Sequence, residues 1–366
     1  MDGLFFELLQ VALGSRERLS QTPAEGDWLR LYRLCQMQSV TGVVFPALEN
    51  LNEQGQKPPL PILYEWIGVA EQIRQQNKVV NRNAANFCGK LEKEGFASCI
   101  LKGQGNNLLY PNPYLRISGD IDVWVMPNPE TRSKEEDVRR VIAYFKRINP
   151  EGNVCYHHID YGKCNGSGVE VHYRPSFMFN PIHDRRLQKW FLEHAEEQFA
   201  HSVDLPDGAG AINVPTVDFN IVFQLTHIYN HLLHEGIGLR QVIDYFYLLQ
   251  HDGISKKDDV VNTLRLLGLE KIAGAVMWVM NEILGLPEHK LIFPKDEKRG
   301  WVLLAEIMRG GNFGYYDSEN QKANTRVKKN VMRFKRDLRM MCYFPSECLW
   351  EPFFRVYHYF WRMKYN

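Results

Sequence analysis

Asp120 and Asp122 stand two residues apart inside an apolar run, Gly119-Asp120-Ile121-Asp122-Val123-Trp124-Val125. Strand side chains alternate between faces, so both carboxylates share one face while Ile121 and Val123 point into a core. Like charges side by side repel, and burial raises the cost. A cation between them relieves it. Carboxylate oxygens suit a hard ion such as Mg2+, which also binds phosphates. The plain alternative is an edge strand with two solvated aspartates; the apolar flanks and the preceding glycine argue against it. Gly168-Val169-Glu170-Val171-His172-Tyr173 alternates in the same way, with Glu170 and His172 on one face. If the two strands are neighbours, three carboxylates meet. Such a set can hold two dications roughly 3.5–4 Å apart at a phosphorus centre.

Upstream lies Leu101-Lys102-Gly103, and Arg116-Ile117-Ser118-Gly119 leads into the aspartates. With these elements the chain resembles the nucleotidyltransferase superfamily typified by DNA polymerase beta. More narrowly, it resembles a bacterial family of largely uncharacterised nucleotidyltransferases. That family carries a Leu-Lys-Gly element, an Arg-x-x-Gly-Asp-Ile-Asp element and a later Glu-x-His strand. The matching residues here are Leu101 to Gly103, Arg116 to Asp122, and Glu170 to His172. The resemblance also takes in the helical segment before Lys102 and the His-rich helix after residue 220.

The resemblance implies Mg2+-dependent transfer of an NMP from an NTP, ATP first among them, to a hydroxyl of a small-molecule or protein acceptor, with release of pyrophosphate. It implies that Asp120, Asp122 and Glu170 are the catalytic and metal-binding residues, with room for two Mg2+ ions and with Mn2+ as a substitute. Lys102, Gly103, Arg116, Ser118 and Gly119 would bind the nucleotide. His172, His227, His231 and Asp244 would face the acceptor or support the site. One element departs from the superfamily, which usually has Gly-Ser at the turn before the helix. Lys102-Gly103-Gln104 stands there instead, which passes phosphate capture to backbone N–H groups at the next helix start, with Lys102 or Arg116 adding charge.

The composition is that of an ordinary globular protein, 45% hydrophobic and 24% charged over 366 residues. A net charge of +1 implies no global pull toward nucleic acid or membrane. No apolar run reaches spanning length and Met1-Asp2-Gly3-Leu4 lacks a basic leader, so the expectation is a cytoplasmic protein without a membrane partner. The cysteines number seven, with no Cys-x-x-Cys pair, and read as free thiols.

The hydrophobic pattern predicts an α+β fold, a mixed sheet backed by helices between N- and C-terminal helical regions, and the resemblance implies that this core is a polymerase beta-like nucleotidyltransferase core. The expected boundaries are 1–94 (helical), 95–215 (α+β core) and 216–366 (helical). Within them, Leu63 to Glu94 reads as one long helix capped by Gly95, and Phe96 to Leu101 as a strand. A short helix follows over Gly105 to Leu109. Residues 134–147 read as a charged helix. Residues 155–161 and 168–174 read as paired strands around Gly162 to Gly166, and Pro206 to Gly210 as a loop.

Other patterns are weaker. Gly103-Gln104-Gly105 lacks the third glycine of a dinucleotide turn, and no P-loop is present. His227, His231 and His234 lie on one helix face and read as polar residues lining the junction with the core, and Arg240 and Asp244 as an i, i+4 ion pair. His157 and His158, being adjacent, should face opposite ways. Lys322 to Arg339 holds eight Lys or Arg against Asp337, with Val327, Val331, Phe334 and Leu338 spaced to pack inward. This describes a solvated helix more than a grip on RNA, so nucleic acid is not the favoured partner. The aromatic tail Trp350 to Tyr365 reads as a core-packing helix. Two rival functions remain: an RNA- or protein-modifying enzyme of toxin type, and an inactive nucleotide-binding scaffold. The retention of three acids argues against the second.

Overall fold

The computed structural model describes residues 3–127, 134–316 and 326–365. Three helices open it, α1 (Gly3–Ala12), α2 (Glu25–Met37) and α3 (Thr41–Glu53). The long helix α4 (Leu60–Lys93) begins at Leu60, three residues before the expected Leu63 and with Pro61 in its first turn, because a proline there gives up no hydrogen bond. Gly95 ends it at φ +81°, as expected of a glycine cap.

The next segments build a four-stranded sheet: β1 (Phe96–Ile100), helix α5 (Gln104–Asn107), β2 (Ile121–Pro127), helix α6 (Lys134–Ile148), β3 (His158–Cys164) and β4 (Ser167–His172). The strand order is β1-β2-β4-β3. β1 runs antiparallel to β2, β2 parallel to β4, and β4 antiparallel to β3, so the sheet is mixed. Ile121, Val123 and Val125 join Val169, Val171 and Ile159 on one face and pack against α4 and α6. The other face carries Trp124 into a cluster with Phe191, Phe199 and Phe219.

Two details of the β3–β4 hairpin correct the sequence reading. The turn is the two-residue Asn165-Gly166, closed by the Cys164–Ser167 pair, with φ +48° and +89°. Both central residues sit in the left-handed region, the geometry that suits the twist of paired strands. Gly162, at φ +98°, lies at a register shift inside β3. Residues 155–157 precede the strand, so the alternation rule does not apply to His157 and His158.

The rest of the chain is mostly helical. Helices α7 (Pro181–Glu193) and α8 (Ala195–Ala200) come first, and a small hairpin of β5 (Ser202–Leu205) and β6 (Gly210–Asn213) flanks the expected loop. The hairpin strands are four residues each, too short to announce themselves by period. Then follow α9 (Val217–His234), α10 (Leu239–Gln250), α11 (Lys257–Leu266), α12 (Glu270–Trp278), α13 (Glu297–Gly310), α14 (Arg326–Met341) and α15 (Pro345–Tyr365). One hydrophobic cluster runs from α1–α3 through α9–α13. Among the described residues no helix is long and apolar enough to cross a membrane, and the seven cysteines are free thiols.

The C-terminal helices are phased differently from the sequence reading. Val331, Phe334 and Leu338 are exposed, while Arg336, Asp337 and Met340 face inward. Of the inward charges, Asp337 has Arg355 at 3.6 Å, and Arg355 in turn forms an ion pair with Glu351. Of the basic run, Lys322 lies outside the described residues, as do the side chains of Arg326, Val327, Lys328 and Lys329. Arg339 pairs with Glu306 at 2.9 Å. In α15, Phe354 and Trp361 pack against Tyr156, but Trp350, Phe353, Tyr357, Tyr359, Phe360 and Met363 are exposed. The tail is therefore buried along one side only.

Candidate active site

The parallel pairing of β2 with β4 sets Asp122 directly beside Glu170 and Trp124 beside His172. Alternation then puts Asp120, Asp122, Glu170 and His172 on the face opposite the α4/α6 layer. All four line a cleft of about 450 Å³ between the sheet and the C-terminal helices. The expected convergence of three acids is met in position. Asp120 is left out of the close groups, however: ligand atoms of Asp122, Glu170 and His172 lie within 4.8 Å of one another, as do those of His158, Asp160 and Glu170. Asp120 stands on the exposed rim, its carboxylate seated over Gly168, where a Cβ would come within 2.0 Å of Oδ1.

The charges are unevenly balanced. Burial, then the charges of Glu170 and Asp122, push the Asp120 carboxyl up. Asp122 is also buried, yet Lys102 and His172 outweigh that and hold its carboxyl well below the usual range. Lys102 Nζ lies 2.9 Å from Asp122 Oδ1 and His172 Nε2 lies 3.1 Å from the same oxygen. Glu170 is held down against burial by His172, whose Nε2 is 3.6 Å away. The side chain of His172 is thus a bridge between the two inner acids.

A fourth acid went unread in the sequence. Asp160 pairs with Glu170 across β3–β4. Its Oδ1 accepts from His158 Nε2 at 3.2 Å. Despite burial, Asp160 and then Cys155 and Glu170 push the His158 imidazole up to about 10. The run His158-Ile159-Asp160 alternates like the other strands, and that was the available signal. His157 is also in the cleft rather than across the sheet, with Nε2 3.0 Å from His158 Nδ1.

The loop before β2 is fastened from the helical side. Arg116 grips Asp244 through two bonds, Nε to Oδ1 at 2.6 Å and Nη2 to Oδ2 at 2.7 Å. Tyr110 and Asn106 donate to the same carboxylate at 2.5 and 3.2 Å. The close partner of Asp244 is therefore Arg116, not Arg240 as helical spacing suggested. Arg240 reaches the Ile117 carbonyl instead, at 2.9 Å. Ser118 is buried and donates to Asn77 Oδ1 at 2.6 Å, with Gln104 and Asn107 donating to it. Gly103 and Gly119 line the cleft, with Gly103 at φ +51° turning the chain into α5.

Helix α9 forms the opposite wall. His227 Nε2 lies 3.5 Å from Lys102 Nζ. Burial, then Lys102 and His231, keep the His227 imidazole well below its ordinary value. His231 and His234 each approach Glu235 at 3.5 Å. Beyond them Phe177, Phe354, Arg333 and Arg355 complete the cleft. The two arginines come from the C-terminal helices, and nothing in their local sequence marks them as cleft residues.

Carboxylates on adjacent strands beside a lysine, roofed by histidines, can hold a dication and steady an anionic phosphate. The comparison with known proteins agrees in class. The chain belongs to the family described as uncharacterised nucleotidyltransferase, whose pattern spans residues 24–285. No curated protein matches its sequence. Among solved structures, an antigenic nucleotidyltransferase-like protein from Paracoccidioides brasiliensis aligns at 12% identity and a TM-score of 0.31, over 63% of this chain and 96% of its own. At that score the alignment carries no weight for fold or function.

Proposed function

We propose that this chain moves an NMP from an NTP, ATP first, to a hydroxyl of a small molecule or protein and releases pyrophosphate, using a polymerase beta-like core. The observation that carries the reading is the register of the parallel pair, which sets Asp122 beside Glu170 with Asp120 two residues upstream. The residues fit a hard dication. Oxygen donors predominate, and after burial the charges of Glu170 and Asp122 push the Asp120 carboxyl up, a repulsion that a cation removes. Asp120, Asp122 and Glu170 would hold Mg2+ or Mn2+, which supplies charge neutralisation at the phosphates.

The remaining work belongs to the chain. Lys102 can exchange its contact with Asp122 for the triphosphate, and the backbone at Gly103 and Gly119 borders the same space. Arg116, locked on Asp244, anchors the loop instead of binding phosphate, and Ser118 braces it from below. Glu170 would accept the acceptor's proton while His172 orients it. The acceptor would lie under His227, His231 and Phe354. Chemistry of this type is mostly positioning and charge, so this short list suffices. Nucleic acid is not the favoured acceptor: of the four described basic side chains of α14, Arg336 is buried, Arg339 is paired with Glu306 and Arg333 lines the cleft, which leaves Lys335 on the open face.

The test is incubation of the purified chain with each labelled NTP, Mg2+ and a cell extract. Label should pass to one class of acceptor, and Asp122→Asn should reduce the transfer on the order of a thousandfold. Unchanged transfer in Asp122→Asn would remove the proposed metal role. Steeply salt-dependent RNA labelling would replace the acceptor class.

A further inference from the structure

Three histidines crowd one part of the cleft, where nucleotidyl transfer gives His172 a positioning role and leaves His157 and His158 unassigned. His157 stands just before β3, His158 opens it, and His172 closes β4. A ring nitrogen of each lies within 4.8 Å of those of the other two. The rings of His157 and His158 meet at 89° with centroids 4.4 Å apart. The His172 ring is 5.4 Å from the first and 5.3 Å from the second.

The hydrogen bonding is asymmetric in a telling way. His158 gives Nε2 to the carboxylate of Asp160 and turns Nδ1 toward His157, 3.0 Å away. His172 gives Nε2 to Asp122 and keeps Nδ1 buried with no hydrogen-bond partner, in a residue only 3% exposed. A buried polar nitrogen without a partner costs free energy unless something binds it. Metal-ligating imidazoles are held in this manner, with the far nitrogen on a carboxylate and the near one left for the ion.

We propose that His157, His158 and His172 form a nitrogen-rich cation site, sharing His172 with the carboxylate set, that takes a borderline dication of the Zn2+ or Co2+ kind. Three imidazoles suit such ions and are poor ligands for Mg2+. Bonds of about 2.0–2.1 Å in tetrahedral geometry ask for nitrogens about 3.4 Å apart, so one pair already stands close and the others need small ring movements. Glu170 Oε2, 3.9 Å from His158 Nδ1, is the nearest candidate for a fourth donor. Asp160 and Asp122 are the positioning residues behind the rings. The site adjoins the carboxylates through His172, yet it stands whether or not the transferase reading does.

Equilibrium dialysis of the full chain against Zn2+, and the visible absorption of Co2+, test it directly, both with millimolar Mg2+ present. One equivalent should bind, with the intense absorption of low-coordinate Co2+. His157→Gln should weaken that binding about tenfold or more, and Asp160→Asn about 10–100-fold. Asp160 is near the surface, so its variant keeps the test alive if His157→Gln does not fold. No saturable Zn2+ or Co2+ binding would overturn the site. So would binding insensitive to both variants but lost in Asp122→Asn, since the ion would then sit on the acids. Label transfer from NTP in the same preparations reports on the transferase reading separately.

Discussion

At the residue scale, Asp120 and Asp122 look equivalent in the sequence but not in the cleft. Repulsion within an acid pair predicts that neutralising either one stabilises the fold. For Asp122 the structure reverses that expectation, because Lys102 and His172 both point at its Oδ1. Without added metal, Asp122→Asn should lower stability by about 2 kcal/mol at pH 7, measured by urea unfolding. The loss should shrink as the pH falls through the acid range. A depressed carboxyl contributes stability above its unfolded pKa and loses it as it protonates. Asp120→Asn should do the opposite and raise stability modestly at pH 7. Its raised carboxyl costs stability once ionised, and that gain should vanish below about pH 4. His158 carries a second pH signature. In the metal-free chain its imidazole is pushed up to about 10, so its contribution there should be full below about pH 6.5 and gone near pH 10. If wild type and His158→Gln lose stability in parallel across that window, the Asp160 contact is not the source.

At the element scale, the β2–β4 pair does more than place acids. Gly168, at the start of β4, leaves the space that the Asp120 carboxylate occupies. Gly168→Ala should therefore displace Asp120 while sparing the ladder, since the obstructed group is a side chain that can rotate away. The expected result is a melting temperature within a few degrees of wild type and a fall in transfer of about tenfold or more. Retained activity would show that Asp120 works from another rotamer. The β3–β4 turn and α14 carry the lesson about what local sequence conveys. Asn165-Gly166 is a hairpin signal legible in the sequence, more specific than the broader glycine cluster around it. The phase of α14 was not readable. A helix with Asp337 inward makes sense only beside Arg355, which arrives from another helix already paired with Glu351.

At the scale of the whole molecule, the cleft exists because a loop of the sheet unit is fastened to the helical part. The fastening is the bidentate Arg116–Asp244 pair, with both side chains 5% exposed. Burial alone would push the Asp244 carboxyl up, and Arg116 and Tyr110 hold it down. Asp244→Asn leaves a buried guanidinium without its counter-charge. It should cost about 3–5 kcal/mol, and Arg116→Lys should also be costly because a lysine cannot make both bonds. Urea unfolding of the two variants measures this. Stabilities within about 0.5 kcal/mol of wild type would mean that the contact with α10 does not hold the loop.

The sequence by itself determined most of the elements, the short strands β5 and β6 excepted, and which acids share a strand face. Alternation fixes which residues share a strand face, and that rule needs no partner strand to be known. It could not say that Glu170 would lie beside Asp122, because register between distant strands depends on the crossover that joins them. Nor could it rank the acids, send Arg116 to Asp244, or bring His157, His158 and His172 together. Those outcomes depend on which charges and rings meet after packing. They are sums over neighbours from β3, β4, α9 and α10, and the local sequence of each element contains only its own term.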